Sequence, residues 1–356
     1  MKKKHLKLLN INRIENFLLA ALLGTMLCFP MSEAQAEDDT ILKSLLKKKI
    51  AEKVLENKDP EGGWTDTKIR ITQAGDYTFK VKHDGEDRKY KIHVPKSYTG
   101  AVKTPVIVAL HGGGGDMDYM GNDKYYGLIT SSEKYGFIVV FPNGYSRFKS
   151  GKLATWNGGT CCGSARDKKI DDVGFIRKVV ENVKAQLNID AGRIYATGMS
   201  NGGIMSYRLA CEATDLFKAI APVAGTDNMP KCNPTRPISV LHIHALNDDH
   251  VLFNGGAGEK SFRDKSQVTE FVSVPDTVNL WVKRNSCEGQ PKRVLQNDGA
   301  YCDLYANCSG GTQVKLCATK DGAHSWPGGY KPRGSEQPSK AISANDVMWK
   351  FFQSLE

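Results

Sequence analysis

The most regular pattern in the chain is a series of short apolar runs separated by amphipathic stretches. Val106–Leu110 and Phe137–Phe141 contain no polar residue, which predicts strands covered on both faces. Arg193–Thr197, Ala219–Val223 and Val240–His244 predict three more, and Thr312–Cys317 the last. Ahead of these, Tyr77, Phe79 and Val81 alternate with polar residues. A turn at Asp84-Gly85 follows, and Tyr90, Ile92 and Val94 alternate again. That predicts a hairpin with one buried face. Between the strands the period lengthens. Val173, Ile176, Val179, Val180, Val183 and Leu187 mark a helix over 170–188, with Asp171 or Asp172 near its start. Further helices are predicted over 203–210, 277–283 and 344–355. An antiparallel start followed by alternating strands and helices predicts an α/β domain: a mostly parallel central sheet with helices on both faces.

The N-terminal segment follows a different logic. Lys2, Lys3, Lys4, Lys7 and Arg13 precede an apolar run from Phe17 to Met31, and Ala34-Gln35-Ala36 closes it. This predicts a secretory signal peptide over 1–36, hence a secreted protein. The run is short for a bilayer span, so no stable membrane insertion is expected. Leu42, Leu46, Ile50 and Val54 recur every four residues among Lys43, Lys47, Lys48, Lys49 and Lys53. They predict an amphipathic helix over 40–57 that packs on its own domain. A Gly- and Pro-containing linker follows at 59–66, and a catalytic domain is expected over 67–356.

Of nine cysteines, Cys28 falls in the leader and leaves an even number, which suits disulfides in an exported chain. The absence of a Cys-x-x-Cys pair disfavours zinc and thioredoxin-type chemistry. The formal charge of +10 suits anionic surfaces. The lysines are dispersed rather than grouped with stacking aromatics, so no nucleic-acid partner is expected.

Candidate chemistry starts at Gly198-Met199-Ser200-Asn201-Gly202, placed between a predicted strand and a predicted helix. A strand–Gly-x-Ser-x-Gly–helix unit is the nucleophile elbow of the α/β-hydrolase fold, which presents the serine hydroxyl at the top of the sheet. His111-Gly112-Gly113-Gly114-Gly115 directly follows the first central strand. Its amides, with that of Asn201, would form an oxyanion hole; Gly112, Gly113 and Asn201 are the candidate donors. No Gly-Lys-Ser/Thr follows, which disfavours a phosphate loop. A serine hydroxyl needs an adjacent base. His324, in the loop after the last predicted strand, is the best candidate. Asp248 and Asp249, past the strand ending at His244, both qualify as the acid that orients it. His242 and His244 share a strand face and are read as strand packing rather than as a metal pair. His250 lies in the acid loop and stays open as a substrate contact. His83 and His93 fall on the hairpin, far from the elbow.

Six segments together carry a resemblance. They are Leu110–Gly114, Trp156-Asn157 with Cys161-Cys162-Gly163, Asp171–Phe175, Gly198–Gly203, Ala221–Gly225 and Gly322–Gly329. In combination the chain resembles the secreted polyhydroxybutyrate depolymerase and feruloyl esterase family, from about the hairpin to the C-terminus. The resemblance implies a serine carboxylesterase working through an acyl-enzyme, with Ser200 as nucleophile, His324 as base and His111–Gly114 as oxyanion loop. The family's acid motif resembles His-Gly-Thr-x-Asp. Here it reads His244-Ala245-Leu246-Asn247-Asp248, which retains Asp248 but changes the Gly and Thr and keeps Asp249 as an alternative.

The leading expectation is a polyhydroxybutyrate depolymerase-like enzyme acting on short-chain hydroxyalkanoate esters. The alternative is a feruloyl or acetylxylan esterase acting on plant polysaccharide esters. A more distant one is a non-catalytic envelope- or polysaccharide-binding protein. The expected partner is an ester substrate, and no metal or other cofactor is expected. His111, Trp156, Trp326 and Tyr330 are the candidate substrate-binding residues, aromatic faces suiting phenolic and sugar rings. For the cysteines, the short spacing suggests Cys302 with Cys308, and a bridge from Cys287 to Cys317 would tie the late helix to the strand preceding His324. Cys161 and Cys162 are expected to have different partners, since a vicinal bridge is strained. With Cys211 and Cys232 they would staple the tryptophan loop behind the elbow.

Overall fold

The computed structural model describes residues 67–261, 269–332, 334 and 336–356. The expected signal peptide, amphipathic helix and linker lie outside the described residues. In chain order the first elements are β1 (Gly75–His83), β2 (Glu86–Val94) and β3 (Thr104–Leu110). Three short helices follow: α1 (Met117–Met120), α2 (Asp123–Tyr126) and α3 (Leu128–Tyr135). Then come β4 (Ile138–Pro142), α4 (Gly163–Asp167), α5 (Asp172–Gln186), β5 (Ile189–Met199), α6 (Asn201–Glu212), β6 (Ala219–Val223) and β7 (Ser239–Ala245). The chain closes with α7 (Val274–Arg284), β8 (Lys292–Gln296), β9 (Ala300–Tyr305), β10 (Val314–Thr319) and α8 (Ala344–Gln353).

The ten strands among the described residues form one sheet, in the order β1-β2-β4-β3-β5-β6-β7-β10-β9-β8. From β4 to β10 every neighbouring pair is parallel. Antiparallel pairs flank this block on both sides. The fully apolar strands β3 and β4 are buried along their whole length, as two-sided coverage requires. Two apolar layers follow from the alternation along each strand. Val106, Val108 and Leu110 face one layer with α5 and α6, and Ile107 and Ala109 the other with α8. Asp171 caps α5 by accepting the Gly174 N–H at 2.9 Å.

The sheet extends beyond the sequence expectation at its far edge, where β8 and β9 add an antiparallel pair. In β8 the residues Lys292, Arg293 and Val294 are exposed, so no hydrophobic period announces it. The disulfide expectations are corrected. Cys302 lies directly opposite Cys317 in the β9–β10 register and bonds to it. Cys287 follows α7 and bonds to Cys308, the two segments being joined where Glu288 N–H meets the Asn307 carbonyl at 2.7 Å. Cys211, in the last turn of α6, bonds to Cys232. With those six paired among themselves, Cys161 and Cys162 bond to each other, against the expectation of separate partners. They pack among Ile204, Val251 and Phe271.

Candidate active site

The turn between β5 and α6 holds Ser200 at φ 57° and ψ −121°, a left-handed φ that L-residues adopt only under constraint. The glycines around it follow from contact. A Cβ on Gly198 would sit 2.5 Å from the Gly202 backbone, and one on Gly202 would collide with the Leu110 carbonyl oxygen. Strand, elbow and helix are therefore packed backbone to backbone. Ser200 N–H donates to the Val223 carbonyl at 2.8 Å, which ties the elbow to β6. Ser200 Oγ has no hydrogen-bond partner among the described residues.

The glycine loop after β3 lies against this turn. A Cβ on Gly113 would be 3.6 Å from Asn201 Cβ, and one on Gly112 would be 3.5 Å from Ser200 Cβ. The loop's amides divide into two sets. Gly114 N–H donates to the Ala154 carbonyl at 2.8 Å, and Gly115 N–H to the Gly112 carbonyl at 3.0 Å. Asn201 opens α6, so its N–H belongs to the first helical turn, whose donors have no intrahelical acceptor. The donors beside Ser200 are thus those of the Gly112–Gly113 segment and Asn201.

His111 and Trp156 do not occupy the substrate-facing positions expected from the sequence. Both are fully buried and form a brace behind the loop. His111 Nδ1–H donates to the Gly112 carbonyl at 2.8 Å, while its Nε2 accepts from Gly144 N–H at 2.9 Å. Burial takes the His111 pKa down to about 4, which keeps the ring neutral and this donor–acceptor pattern intact. Trp156 packs on His111 with ring centroids 4.9 Å apart and donates Nε1–H to the His111 carbonyl at 2.9 Å. The Asn201 side chain pins the same segment, accepting from Trp156 N–H at 2.7 Å and donating to its carbonyl at 2.9 Å. The aromatic signal at Trp156 was a framework signal, because its one polar atom is needed to satisfy a buried carbonyl.

The acid loop after β7 and the loop after β10 meet because β7 and β10 pair in parallel. His324 Nδ1–H donates to Asp248, 2.8 Å from Oδ2 and 3.1 Å from Oδ1. Asp248 also accepts from the amides of His250 at 2.8 Å and Val251 at 2.9 Å. Burial opposes ionisation of Asp248. The facing His324 and the hydrogen bonds from His244 and His324 outweigh it and hold the carboxyl well below its usual range. Asp249 does not reach His324; it pairs with His250 Nδ1 and with Lys260 Nζ, each at 2.7 Å. Burial works against its ionisation too, yet those two partners bring its pKa down to about 2. His250 stacks on His324 with ring centroids 4.5 Å apart.

Ser200, Gly112, Gly113, Asn201 and His324 all line one cleft of about 1010 Å³. Trp326 and Tyr330 also line it, and His250 lies on its wall. Tyr119, Tyr125 and Tyr126 join them. The first two rings lie 5.1 Å apart, and Tyr125 stacks towards Tyr330 at 6.3 Å. Sequence reasoning missed these tyrosines. Tyr119 sits on α1, and Tyr125 and Tyr126 on α2, helices too short to show a period, and the signal was the aromatic clustering just after the glycine loop. Two groups of metal-ligand side chains are close enough to share an ion among the described residues. Cys211 and Cys232 of the first are spent in a disulfide, and Asp248, His250 and His324 of the second are spent in the contacts above.

An elbow serine, a glycine loop with free amides and an Asp–His pair on one cleft match the comparison with known proteins. Residues 82–298 match the model of the Esterase family ("Putative esterase"). The chain belongs to that family. The chain is 34% identical over 274 residues to "Probable feruloyl esterase C" of Aspergillus clavatus, covering 75% of this chain and 84% of that protein. It is 30% identical over 247 residues to "Feruloyl esterase B" of Piromyces equi, covering 67% of this chain but only 42% of that protein's length. Among solved structures, the acetyl xylan esterase from Aspergillus awamori aligns with a TM-score of 0.50 and 14% identity, over 78% of this chain and 98% of that one. That likeness shows the fold, an α/β-hydrolase fold.

Proposed function

We propose that the protein is an exported serine carboxylesterase that cleaves aromatic esters carried by plant polysaccharides. The observation that carries the mechanism is the Asp248–His324 hydrogen bond at the wall of the cleft that contains Ser200. In this reading Ser200 Oγ attacks the ester carbonyl carbon while His324 Nε2 takes its proton. The carbonyl electrons move to oxygen, where the amides of Gly113 and Asn201, with Gly112 beside them, hold the negative charge. The tetrahedral adduct collapses, the C–O bond to the alcohol breaks, and His324 returns the proton to the departing oxygen. Water then repeats the sequence on the acyl-enzyme and releases the acid. Asp248 keeps the proton of neutral His324 on Nδ1 and stabilises the imidazolium.

Substrate class rests on two supports. The relatives reported above that share 30% identity or more are named feruloyl esterases. The cleft has a wall of Tyr119, Tyr125, Tyr330 and Trp326, and flat faces of this kind hold phenolic or sugar rings. Trp326 is fixed by its Nε1–H donation to Asn345 at 3.0 Å, so it is a rigid part of that wall. Export is supported by the leader sequence and by disulfides that an oxidising compartment would sustain.

The test is a panel of methyl ferulate, acetylated xylan and hydroxybutyrate oligomers, each with wild type and Ser200→Ala. Highest kcat/KM on methyl ferulate, abolished in Ser200→Ala, is the expected result. Highest kcat/KM on hydroxybutyrate oligomers would overturn the substrate assignment and leave the mechanism standing. Undiminished turnover by Ser200→Ala would overturn the mechanism.

A further inference from the structure

Two buried histidines and a buried tyrosine behind the acid loop have no part in the mechanism above. Tyr207 lies on α6, about two turns beyond Ser200, and is fully buried. Its hydroxyl is 2.7 Å from His242 Nδ1. His242 Nε2 is 3.0 Å from His244 Nδ1, and the two rings stack 5.2 Å apart at 9°. His244 Nε2 in turn faces the Val251 carbonyl at 2.8 Å and Asp248 Oδ2 at 3.3 Å. An unbroken run of polar contacts therefore leads from the nucleophile helix, through strand β7, to the carboxylate that holds His324.

The direction of every hydrogen bond in this run follows from its far end. A carbonyl and a carboxylate only accept, so His244 Nε2 carries a proton, and in the singly protonated ring its Nδ1 accepts. His242 must then donate through Nε2 and accept at Nδ1, and the Tyr207 hydroxyl donates to it. Burial favours the neutral states of Tyr207 and His242: it raises the pKa of Tyr207 and lowers that of His242, with His244 adding to the latter effect. The charged neighbours of Tyr207 are Asp227 and Arg284, which pair with each other. Phe253 and Trp281 supply apolar contacts, edge-on to His244 and stacked with Tyr207.

We propose that Tyr207, His242 and His244 form a hydrogen-bonded spine that sets the position of Asp248 towards His324, with His244 as its final positioning residue. The proposal rests on the serine-esterase reading. His244 clamps the acid loop at both ends of its turn, through Asp248 Oδ2 and the Val251 carbonyl, while Asp248 itself accepts the Val251 N–H. Ala245 and Leu246, which stand where the related motif has Gly and Thr, are not members of this clamp, which runs from the His244 side chain to Asp248 Oδ2 and the Val251 carbonyl. Donation from His244 Nε2–H also disperses the charge of Asp248, which moderates how strongly that carboxylate retains a proton on His324.

The first test uses the wild-type protein: two-bond 1H–15N spectra of histidine-labelled protein. Protonated Nε2 and bare Nδ1 on both His242 and His244 are expected; a proton on Nδ1 of either ring overturns the spine. The second compares His244→Leu, His244→Gln and Tyr207→Phe on p-nitrophenyl acetate, with melting temperature measured in parallel. His244→Leu should lower kcat about 10- to 100-fold, the range for lost outer partners of functional histidines, with little change in KM. The acid limb of kcat/KM should move to higher pH, because the undispersed Asp248 charge holds the His324 proton more tightly. His244→Gln, which keeps a distal N–H, should recover most of the rate. A folded His244→Leu with wild-type kcat and an unmoved acid limb would overturn the proposal. Full activity of Ser200→Ala would instead sink the underlying serine-esterase reading while leaving the tautomer result intact.

Discussion

Asp248 and His324 are 76 residues apart and meet at 2.8 Å. The contact exists because β7 and β10 are parallel neighbours, so the loops at their C-terminal ends emerge side by side. Asp249, one residue later, faces the other way towards Lys260 and His250. Asp248→Asn should therefore lower kcat about 10⁴-fold, as when a triad acid is replaced by its amide and the histidine tautomer is lost. Asp249→Asn should stay within about tenfold of wild type, since it loses only pairs outside the triad. Steady-state kinetics on p-nitrophenyl acetate separates them, and equal losses would contradict the assignment.

Trp156 supports the glycine loop from behind. Trp156→Phe keeps most of the ring but leaves the buried His111 carbonyl without its donor, a loss of about 1–3 kcal/mol. Stability measured by urea unfolding should fall while KM stays near the wild-type value. A raised KM at unchanged stability would return Trp156 to the substrate-facing role.

Gly202 admits no side chain. In Gly202→Ala the new methyl meets the Leu110 carbonyl oxygen, and α6 must move away from β3 to accept it. Insoluble or strongly destabilised protein is expected on expression, since overpacking of this kind costs about 1–3 kcal/mol or more. A variant with wild-type melting temperature would show that the elbow is looser than described.

The disulfides bear on stability rather than chemistry. Peptide mapping without reductant should recover Cys211–Cys232, Cys287–Cys308 and Cys302–Cys317. Recovery of a Cys302–Cys308 link would refute the pairing. Removing the Cys302–Cys317 bridge opens a loop of 15 residues and should cost about 3 kcal/mol.

Acidification should weaken the fold through the same loop. The pKa values of Asp248 and Asp249 are both depressed from 3.8, so their ionised forms stabilise the folded state. That contribution is full above pH ~4. It drains as the pH falls through about 2 for Asp249 and still lower for Asp248. Melting temperatures of wild type and Asp249→Asn should differ at pH 6 and converge as the pH approaches 2; a constant difference would contradict the linkage.

Much of this architecture is legible in the residues alone. The two-sided strands β3 and β4, the hairpin and α5 follow from hydrophobic period, and the positions of Ser200 and His324 follow from motifs tied to strand ends. What could not be read depends on lateral packing. The acid motif favours Asp248 but keeps Asp249 open, because the choice is made by the loop's turn against β10. Trp156 has the residue type of a substrate platform, but its role is set by a carbonyl 45 residues away. The cysteine pairing likewise depends on the β9–β10 register, and β9 itself was hidden behind the charged edge strand β8.

The account depends on Ser200 carrying the acyl group. Rapid acid quench of wild type and of His324→Ala during turnover of p-nitrophenyl acetate, followed by peptide mass spectrometry, tests this directly. The account predicts an acetyl group on the Ser200 peptide of wild type and none in the histidine variant. Turnover at the full wild-type rate with Ser200 never modified, and with Ser200→Ala equally active, would contradict it.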